Sequence, residues 1–379
     1  MRGRADEQTP LFHVFAIEDR IRADHPLRDI KRRVDRILEG MAAKFAAAYS
    51  RTGRPSVPPE RLLKALLLMA LYSVRSERQL CEAIDVNLLY RWFLDMQPSE
   101  EAFDATTFTH NRQRLDEHGL TRTFFDAVVG EALMAGLCSE HFSVDGTLIE
   151  SFASAKSFQP KDQPNDSQDA NRFKPSNPDV DFHGQERTNE THQSRTDPEA
   201  KLFRKGPGKE AKLSHMGHTL TENRHGLIIN VTVTEANGTA ERQASLEMLD
   251  DLQVKQQMQP KTLGADKGYD SGEFFRELES REIEPHVPLV KEPSDPERIA
   301  HKKRKPDVEA RQRMKVRMAS EGYRLSQRCR KKIEEGFGWL KTIAGLEKSR
   351  VVGRWKLMQL LEIGAAAYNL IRLIKLQPA

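Results

Sequence analysis

The sequence predicts an α/β protein in which a mixed β-sheet domain follows an all-helical N-terminal region. Apolar residues in 1–139 recur with helical spacing, and the pattern becomes strand-like at Glu140. Strand-like and helical segments then alternate across 140–350, and a last apolar helix occupies 351–379. A chain of 379 residues is long enough for two or three domains. We therefore expect domain boundaries at these changes of pattern.

The N-terminal region contains two adjacent helical segments. Pro59 opens the run RLLKALLLMALYSV, whose apolar density is typical of a buried helix, and Ser76 can cap a shorter helix, RQLCEAI. Together with Arg75, Arg78 and Arg91, the pair resembles a helix-turn-helix. Any small helical bundle has the same pattern, so DNA contact and a purely structural role both stay open.

The segment that begins at Glu140 alternates between strands and helices. HFSVDGTLI is a predicted strand, and KLSHMGHTLTE and LIINVTVTEA form a predicted hairpin around the turn NRHG. Helix, strand, helix and strand follow in ERQASLEMLDDLQVK, TLGADKGYD, SGEFFRELESR and PHVPLV. This order predicts one antiparallel pair that joins a partly parallel sheet.

A polar insertion follows the first strand. Residues from about 154 to 210 are rich in Asp, Asn, Gln, Ser and Pro and almost devoid of apolar side chains. Such a segment cannot bury enough apolar surface to offset the entropy of ordering. We expect it to be disordered, or ordered only by a partner.

The net charge of +4 conceals a strongly basic segment. Residues 298–332 contain fourteen Lys or Arg against three acids, a local net charge of +11. Two interpretations are open, namely a solvated loop or a surface that contacts a polyanion such as nucleic acid.

The three cysteines, Cys81, Cys138 and Cys329, lie far apart without metal-finger spacing, which is typical of a reducing compartment. The N-terminus lacks the apolar core of a signal peptide, and the longest apolar runs are expected to be too short or too interrupted to span a bilayer. We expect a soluble cytoplasmic protein.

Two aspartates occupy equivalent sequence positions. Asp145 and Asp266 each follow an apolar, strand-like segment and precede a glycine or a polar turn. Carboxylates at strand ends of an α/β sheet face the crevice where ligands bind, and their hard oxygens suit Mg²⁺ or Mn²⁺. A single Asp at a strand end is more often a turn or helix cap, but two such residues on strands that could be adjacent shift the odds towards a metal site.

A third carboxylate is expected from a helix near the C-terminus. In the predicted helix Gln327–Ile343, Arg330, Glu334 and Lys341 form one stripe beside an apolar face. Glu335 points away from that face. We therefore predict Glu334, rather than Glu335, as the third carboxylate.

Three converging carboxylates repel one another unless cations lie between them. Two divalent ions would relieve that repulsion and activate an in-line phosphoryl displacement. Arg330 and Lys341 are placed to hold phosphate oxygens, although a solvated basic face is the alternative for either one. Lys267 and Lys212 are further candidates for DNA contact.

Several segments resemble bacterial insertion-sequence transposases of the DDE branch, in the insertion-sequence five group. The resemblance lies in SVDGTLIES, AKLSHMGHTLTENRHGLI, LGADKGYDS and RKKIEEGFGWLK, with RLLKALLLMALYSVRSERQLCEAI similar to that group's N-terminal region. The group's signature Tyr-x2-Arg-x3-Glu-x6-Lys matches at Arg330, Glu334 and Lys341, but Gln327 replaces the tyrosine.

The resemblance implies a ribonuclease-H-like catalytic fold and strand cleavage and transfer at inverted-repeat ends. The implied partners are double-stranded DNA, at those ends and at the target, and a second or further copy of the chain. Because the resembled family is bacterial, we expect the protein to be associated with the nucleoid in the bacterial cytoplasm. A related metal-dependent nuclease and a catalytically decayed DNA-binding protein are the alternatives.

Overall fold

The structure is a computed structural model that describes residues 15–50, 52–53, 56–161, 188–204, 210–294 and 305–377. Before the first strand, the described residues form helices and turns, as the sequence predicts. The α-helices of this region are α1 Leu27–Gly40, α2 Ala42–Ala48, α3 Pro59–Leu71, α4 Glu77–Val86, α5 Leu88–Phe93, α6 Thr106–Glu117 and α7 Leu120–Met134.

The two predicted N-terminal helices form where their sequence signals lie. Pro59 occupies the first position of α3, and the Ser76 side chain caps α4 by accepting a hydrogen bond from the Gln79 N–H at 3.1 Å. Arg91 is 3% exposed and donates to the carbonyl oxygens of Asp85, Gln97 and Glu100. Arg91 therefore fixes the local chain and cannot reach DNA, which corrects its grouping with Arg75 and Arg78.

The strands begin with a long central one. They are β1 His141–Glu150, β2 Phe158–Pro160, β3 His192–Ser194, β4 Lys201–Phe203, β5 Lys212–Glu222, β6 Ile228–Glu235, β7 Thr262–Gly264 and β8 Glu284–His286. The helices after β6 are α8 Ala240–Gln256, α9 Gly272–Ser280, α10 Lys305–Arg317, α11 Glu321–Cys329, α12 Lys331–Thr342 and α13 Arg354–Leu376.

The main sheet has the strand order β6–β5–β1–β7–β8, with β4 beside β5 on the β6 side. β1 pairs antiparallel with β5 and parallel with β7, and β8 continues the parallel part. The predicted hairpin is β5–β6, whose turn includes Gly226 at φ +69°, a left-handed conformation that favours glycine. This is the ribonuclease-H-like arrangement, and the predicted mixed sheet is confirmed.

The C-terminal helix α13 packs between the sheet and the N-terminal helices. It contacts α3 and α7 on one side and β6 and α12 on the other, and one continuous apolar core includes residues from all of them. The domain boundaries at residues 139 and 350 stay a prediction, because α13 shares its core with both regions.

By length and composition alone, α13 could cross a membrane, so the expectation that every apolar run is too short or too interrupted is wrong for this helix by that measure. However, 72% of its most apolar window is buried inside the fold. That burial is typical of the core helix of a soluble protein.

Parts of the polar insertion are ordered by the protein itself, contrary to expectation. β2 and β3 pair with each other, β4 pairs with β5, and Phe158, Ala200 and Leu213 belong to a small separate core. The buried Asp197 accepts a hydrogen bond from Ser151 at 2.7 Å and lies 2.9 Å from His215 of β5. The middle of the insertion, residues 162–187, lies outside the described residues, as do residues 205–209.

The predicted helix Gln327–Ile343 is divided. α11 ends at Cys329, α12 begins at Lys331, and Arg330 joins them. Of the basic segment, residues 305–329 are mostly helical rather than a loop, and residues 298–304 lie outside the described part of the chain.

Candidate active site

Asp145 on β1 and Asp266, two residues after the end of β7, lie side by side because these two strands are parallel neighbours. The register pairs Ser143 of β1 with Gly264 of β7, and each aspartate lies two residues further along its own chain. The hydrogen-bonded pairing of β1 with β7 stops at Ser143 and Gly264. The two strands separate beyond that point, so an opening in the sheet begins beside Asp145. The expectation that both aspartates end strands is wrong for Asp145, which lies in the middle of the ten-residue β1.

A backbone N–H holds each aspartate. The Asp145 Oδ1 atom accepts from the Gly146 N–H at 2.8 Å, and the Asp266 Oδ1 atom accepts from the Gly268 N–H at 2.7 Å. Asp266 thereby caps the single 3-10 turn Lys267–Tyr269. The glycines of the sequences DG and DKG therefore restrict both carboxylates through backbone hydrogen bonds.

Arg330 and Glu334 approach this pair from the helical side. The Arg330 Nη1 atom is 3.7 Å from the Asp145 Oδ2 atom, with side-chain exposures of 19% and 21%. Glu334 lies one turn further along α12 and is exposed, and its negative charge contributes to the raised pKa of Asp145. The Nε–H of Arg330 is buried and has no hydrogen-bond partner among the described residues.

The neighbouring Glu335 faces elsewhere. Its Oε2 atom lies 3.3 Å from the Nη1 atom of Arg372 on α13. α12 therefore directs Glu334 and Glu335 to different neighbours, which agrees with the helical-face argument that selects Glu334.

A fourth carboxylate, Glu241, also lies at the site. Glu241 is in the first turn of α8. Its Oε1 atom would be 2.7 Å from a Cβ atom built on Gly146, and its Oε2 atom 3.8 Å from one built on Gly268. Sequence reasoning missed it, because an acid in a first helical turn is an ordinary helix-opening residue. The glycines that closely follow both aspartates were the available signal.

Burial and mutual repulsion raise the pKa values of two of these acids. Burial first, and then the charge of Asp266, raise the pKa of Asp145 to about 6, while the Gly146 N–H and Arg330 oppose the shift. Burial first, and then the charges of Asp145 and Asp266, raise the pKa of Glu241 to about 7. The site therefore has too little positive charge for its carboxylates.

Tyr269 lies beneath the carboxylates. Its side chain is fully buried, and its hydroxyl has no hydrogen-bond partner in the described ranges. Burial first, and then the charges of Glu241, Asp145 and Asp266, raise its pKa well above the usual value. The hydroxyl is therefore a buried, unused donor close to the acids.

This donor set fits divalent metal ions. Mg²⁺ and Mn²⁺ prefer carboxylate oxygens, and a cation would relieve the repulsion that raises the pKa values of Asp145 and Glu241. Within the described ranges, no three histidine, cysteine or carboxylate side chains are already arranged to share one ion.

The predicted phosphate-binding lysines lie at different distances from the site. Lys267 is exposed beside Asp266, and Lys341 is partly buried in the last turn of α12. Lys212 is seven residues along β5 from the partner of Asp145, a separation of about 23 Å, and its Nζ atom lies 3.0 Å from Glu150. The structure does not bring Lys212 to the carboxylates.

Gln327 has a clear structural role at the signature's tyrosine position. Its Nε2 atom donates to the carbonyl oxygen of His286 at 2.5 Å and approaches that of Ala265 at 3.4 Å. The amide therefore ties α11 to the carboxyl ends of β7 and β8, next to Asp266.

Family models match both parts of the chain. A model described as "Transposase DDE domain" matches residues 138–370, and one described as "Transposase domain (DUF772)" matches residues 15–114. The chain belongs to the DDE transposase family. This transposase is therefore an enzyme of DNA transposition, and the matched catalytic domain contains every carboxylate described above.

Solved structures similar to this transposase include a Mos1 transposase paired-end complex with the left transposon end. That complex is 13% identical and has a TM-score of 0.21, and the alignment covers 78% of this chain and 81% of that one. A pre-cleavage Mos1 transpososome is also 13% identical with a TM-score of 0.21, and the coverage is 80% and 83%. A TM-score this low places no residue of this chain by comparison. No curated protein sequence matches the chain.

Proposed function

We propose that Asp145, Asp266 and Glu334 are the catalytic carboxylates of this transposase. The observation that carries the proposal is the β1–β7 register, which brings Asp145 and Asp266 together. α12 adds Glu334 from the helical side, with Arg330 at its start. The substrates we propose are the inverted-repeat ends of an insertion sequence and the target DNA.

The carboxylates would hold two Mg²⁺ or Mn²⁺ ions. When bound, such ions lower the pKa of an attacking water or 3′-hydroxyl and stabilise the leaving oxygen of an in-line displacement. The backbone N–H groups of Gly146 and Gly268 orient the two aspartates before any ion arrives. That restriction reduces the reorganisation required during the reaction.

Arg330 is the chain's own phosphate-binding group in this proposal. Its unpartnered Nε–H and its charge lie at the entrance to the carboxylates, and a guanidinium can hold phosphate oxygens in a fixed geometry. Lys267 is exposed beside Asp266, and Lys341 lies seven residues along α12 from Glu334. We assign these three residues, rather than Lys212, to the DNA strand that reacts.

The decisive experiment is a strand-transfer assay with labelled inverted-repeat ends and the full chain, with Mg²⁺ or Mn²⁺. We expect cut ends and joined products with the wild type, and neither with Asp145→Asn or Asp266→Asn, while DNA binding is retained. Cut ends without joined product would indicate a nuclease instead. Binding without cleavage by the wild type would indicate a decayed enzyme.

We also propose that the active species on DNA is a dimer or a larger assembly, because a transposase must bring two ends together. Light scattering of the DNA complex measures this. Two or more protomers for two paired ends are expected, and one protomer on one end at saturation would contradict the proposal.

Membership of the insertion-sequence five group and a nucleoid-associated location in a bacterial cytoplasm are further parts of the proposal. The group assignment is supported by the match to its signature at Arg330, Glu334 and Lys341. Gln327 is the departure, and its bonds to the ends of β7 and β8 provide a structural reason for tolerating it.

A further inference from the structure

Glu241 is held beside the two aspartates by the way α8 begins. The Asn237 Oδ1 atom accepts from the Ala240 N–H at 2.7 Å, which fixes the first turn. Ala240 and Ala244 are buried, and α8 packs on β1 as well as on β5 and β6. The next residue after Ala240 is therefore directed at the part of β1 that includes Asp145.

Gly146 leaves room for this carboxylate, and Gly268 lies at ordinary contact distance from it. A Cβ atom on Gly146 would lie 2.7 Å from the Glu241 Oε1 atom, closer than side-chain carbons approach other atoms. Gly268, which follows Asp266, is the second close neighbour. The side chain of Glu241 thus lies between the backbone after Asp145 and the backbone after Asp266, a position that no side chain on Gly146 would permit.

No basic side chain in the described ranges forms a salt bridge with Glu241. The nearest basic neighbour along α8, Arg242, is directed at the Gly268 carbonyl oxygen, 3.5 Å from its Nη1 atom. A partly buried carboxylate without a cation is unfavourable, and two further carboxylates make it more so. The buried Tyr269 hydroxyl, which lacks a partner, is an independent sign that this cluster holds a ligand.

We propose that Glu241 is a fourth carboxylate of the metal centre and that the Tyr269 hydroxyl donates a hydrogen bond to the group that this centre binds. The proposal rests on the assignment of Asp145 and Asp266 as metal-holding residues. Charge supports it, because two divalent ions would together offset the charge of all four carboxylates.

The test is Mn²⁺ binding to the full chain, measured by isothermal titration in the absence of DNA. Glu241→Gln should weaken the affinity for Mn²⁺ by about tenfold or more, the lower range for residues that support a metal. Glu247→Gln is the matched control, since Glu247 is exposed on the same helix and, among the described residues, its side chain hydrogen-bonds only to Gln243. The control should bind like the wild type.

Thermal unfolding separates a metal-binding role from a purely structural one. Without metal, Glu241→Gln should melt at a higher temperature than the wild type, because one of the repelling charges is gone. Its further rise in Tm with Mg²⁺ should be smaller than that of the wild type. A residue needed only for folding would instead lower Tm under both conditions, and that result would overturn the proposal.

Two further variants test the surroundings with Glu241 intact. Gly146→Ala should displace the carboxylate and weaken Mn²⁺ binding, since the strand backbone at this position accepts any residue. Tyr269→Phe should weaken Mn²⁺ binding by a few-fold, with the fold retained by circular dichroism.

The outcomes distinguish this proposal from the one on which it rests. If Asp145→Asn abolishes Mn²⁺ binding and Glu241→Gln stays within twofold of the wild type, Glu241 is not part of the centre and the triad stands. If Asp145→Asn and Asp266→Asn both bind Mn²⁺ like the wild type, the triad assignment fails and the role of Glu241 fails with it.

Discussion

At the scale of single residues, Glu334 and Glu335 form a natural internal comparison. They are adjacent on α12 and both exposed, yet Glu334 acts electrostatically on Asp145 and Glu335 on Arg372. The neighbours that each glutamate reaches therefore depend on the face of α12 from which its side chain projects. That face follows from the position of the residue along the helix and not from composition.

Glu334→Gln should lower the rate of strand cleavage by about 10²-fold to 10³-fold or more, the usual effect of removing one group that stabilises transition-state charge. Glu335→Gln should leave the rate within about twofold of the wild type. Single-turnover cleavage of a labelled inverted-repeat end, with saturating Mg²⁺, measures both. Equal losses in the two variants would contradict the assignment of Glu334.

Glu362 predicts a pH dependence that is independent of the metal centre. It is buried in α13 and accepts a hydrogen bond from the Thr121 hydroxyl at 2.6 Å, and burial raises its pKa from 4.5 to about 7. The folded state therefore keeps a proton that the unfolded chain releases above about pH 4.5. Stability contributed by this group is present at low pH and is lost as pH rises towards about 7.

Glu362→Gln removes this proton and keeps an acceptor for Thr121. The fall in Tm between about pH 5 and about pH 8 should be shallower in Glu362→Gln than in the wild type, in the presence of Mg²⁺. The exposed Glu247→Gln should retain the wild-type slope. Parallel curves for all three proteins would show that Glu362 is ionised in the folded state.

At the scale of elements, the sequence predicts those whose signal is local. The β5–β6 hairpin follows from alternation around a glycine turn, and α8 and α9 follow from helical spacing. The division between α11 and α12 at Arg330 includes neither glycine nor proline, so no local signal marks it. Tertiary contacts of Gln327 with the ends of β7 and β8 hold α11 in place instead.

The residues of the candidate site likewise differ in whether a local sequence pattern marks them. Asp145, Asp266 and Glu334 could be predicted because each has a local pattern, namely a strand followed by a turn or one face of a helix. Glu241 could not, because its position depends on how α8 packs against β1 and on space left by Gly146. The ordered ends of the polar insertion were missed for a similar reason, since β4 is stabilised by pairing with β5.

The basic helices differ in how much of their charge is already neutralised. On α10, Arg313 contacts Glu279 at 2.5 Å and Lys315 contacts Glu292 at 2.5 Å. On α11, Arg324 and Arg328 are exposed and form no salt bridge with a described acid. We therefore expect α11, rather than α10, to contact DNA phosphates.

The salt dependence of DNA binding tests this difference between the helices. Arg324→Gln with Arg328→Gln should reduce the slope of log K against log salt by about 0.9 for every phosphate that α11 no longer neutralises. Arg313→Gln with Lys315→Gln removes the same charge and should leave the slope nearly unchanged. Fluorescence anisotropy on an inverted-repeat duplex measures both, and equal slopes for the two double variants would contradict the assignment to α11.

At the scale of the whole molecule, α13 joins the N-terminal helices to the catalytic sheet through one apolar core. Two regions that pack on the same buried helix are stabilised together, so their unfolding is coupled. α13 packs on β6, and the match to the DDE domain model extends through most of this helix, to residue 370. The catalytic site is therefore supported by the N-terminal region as well as by its own sheet.

This coupling predicts a single unfolding transition for the described core. Trp92 reports on the N-terminal helices, and Trp339 reports on α12, where its ring lies 5.7 Å from that of Tyr368 on α13. Two single-tryptophan variants make these reporters separate. Trp339→Phe with Trp355→Phe keeps only Trp92, and Trp92→Phe with Trp355→Phe keeps only Trp339. Both variants should unfold at the same denaturant midpoint. Leu370→Ala, at a fully buried position of α13, should lower the free energy of unfolding by about 2–5 kcal/mol and shift both midpoints together. A shift seen by Trp339 alone would mean that the two regions unfold independently.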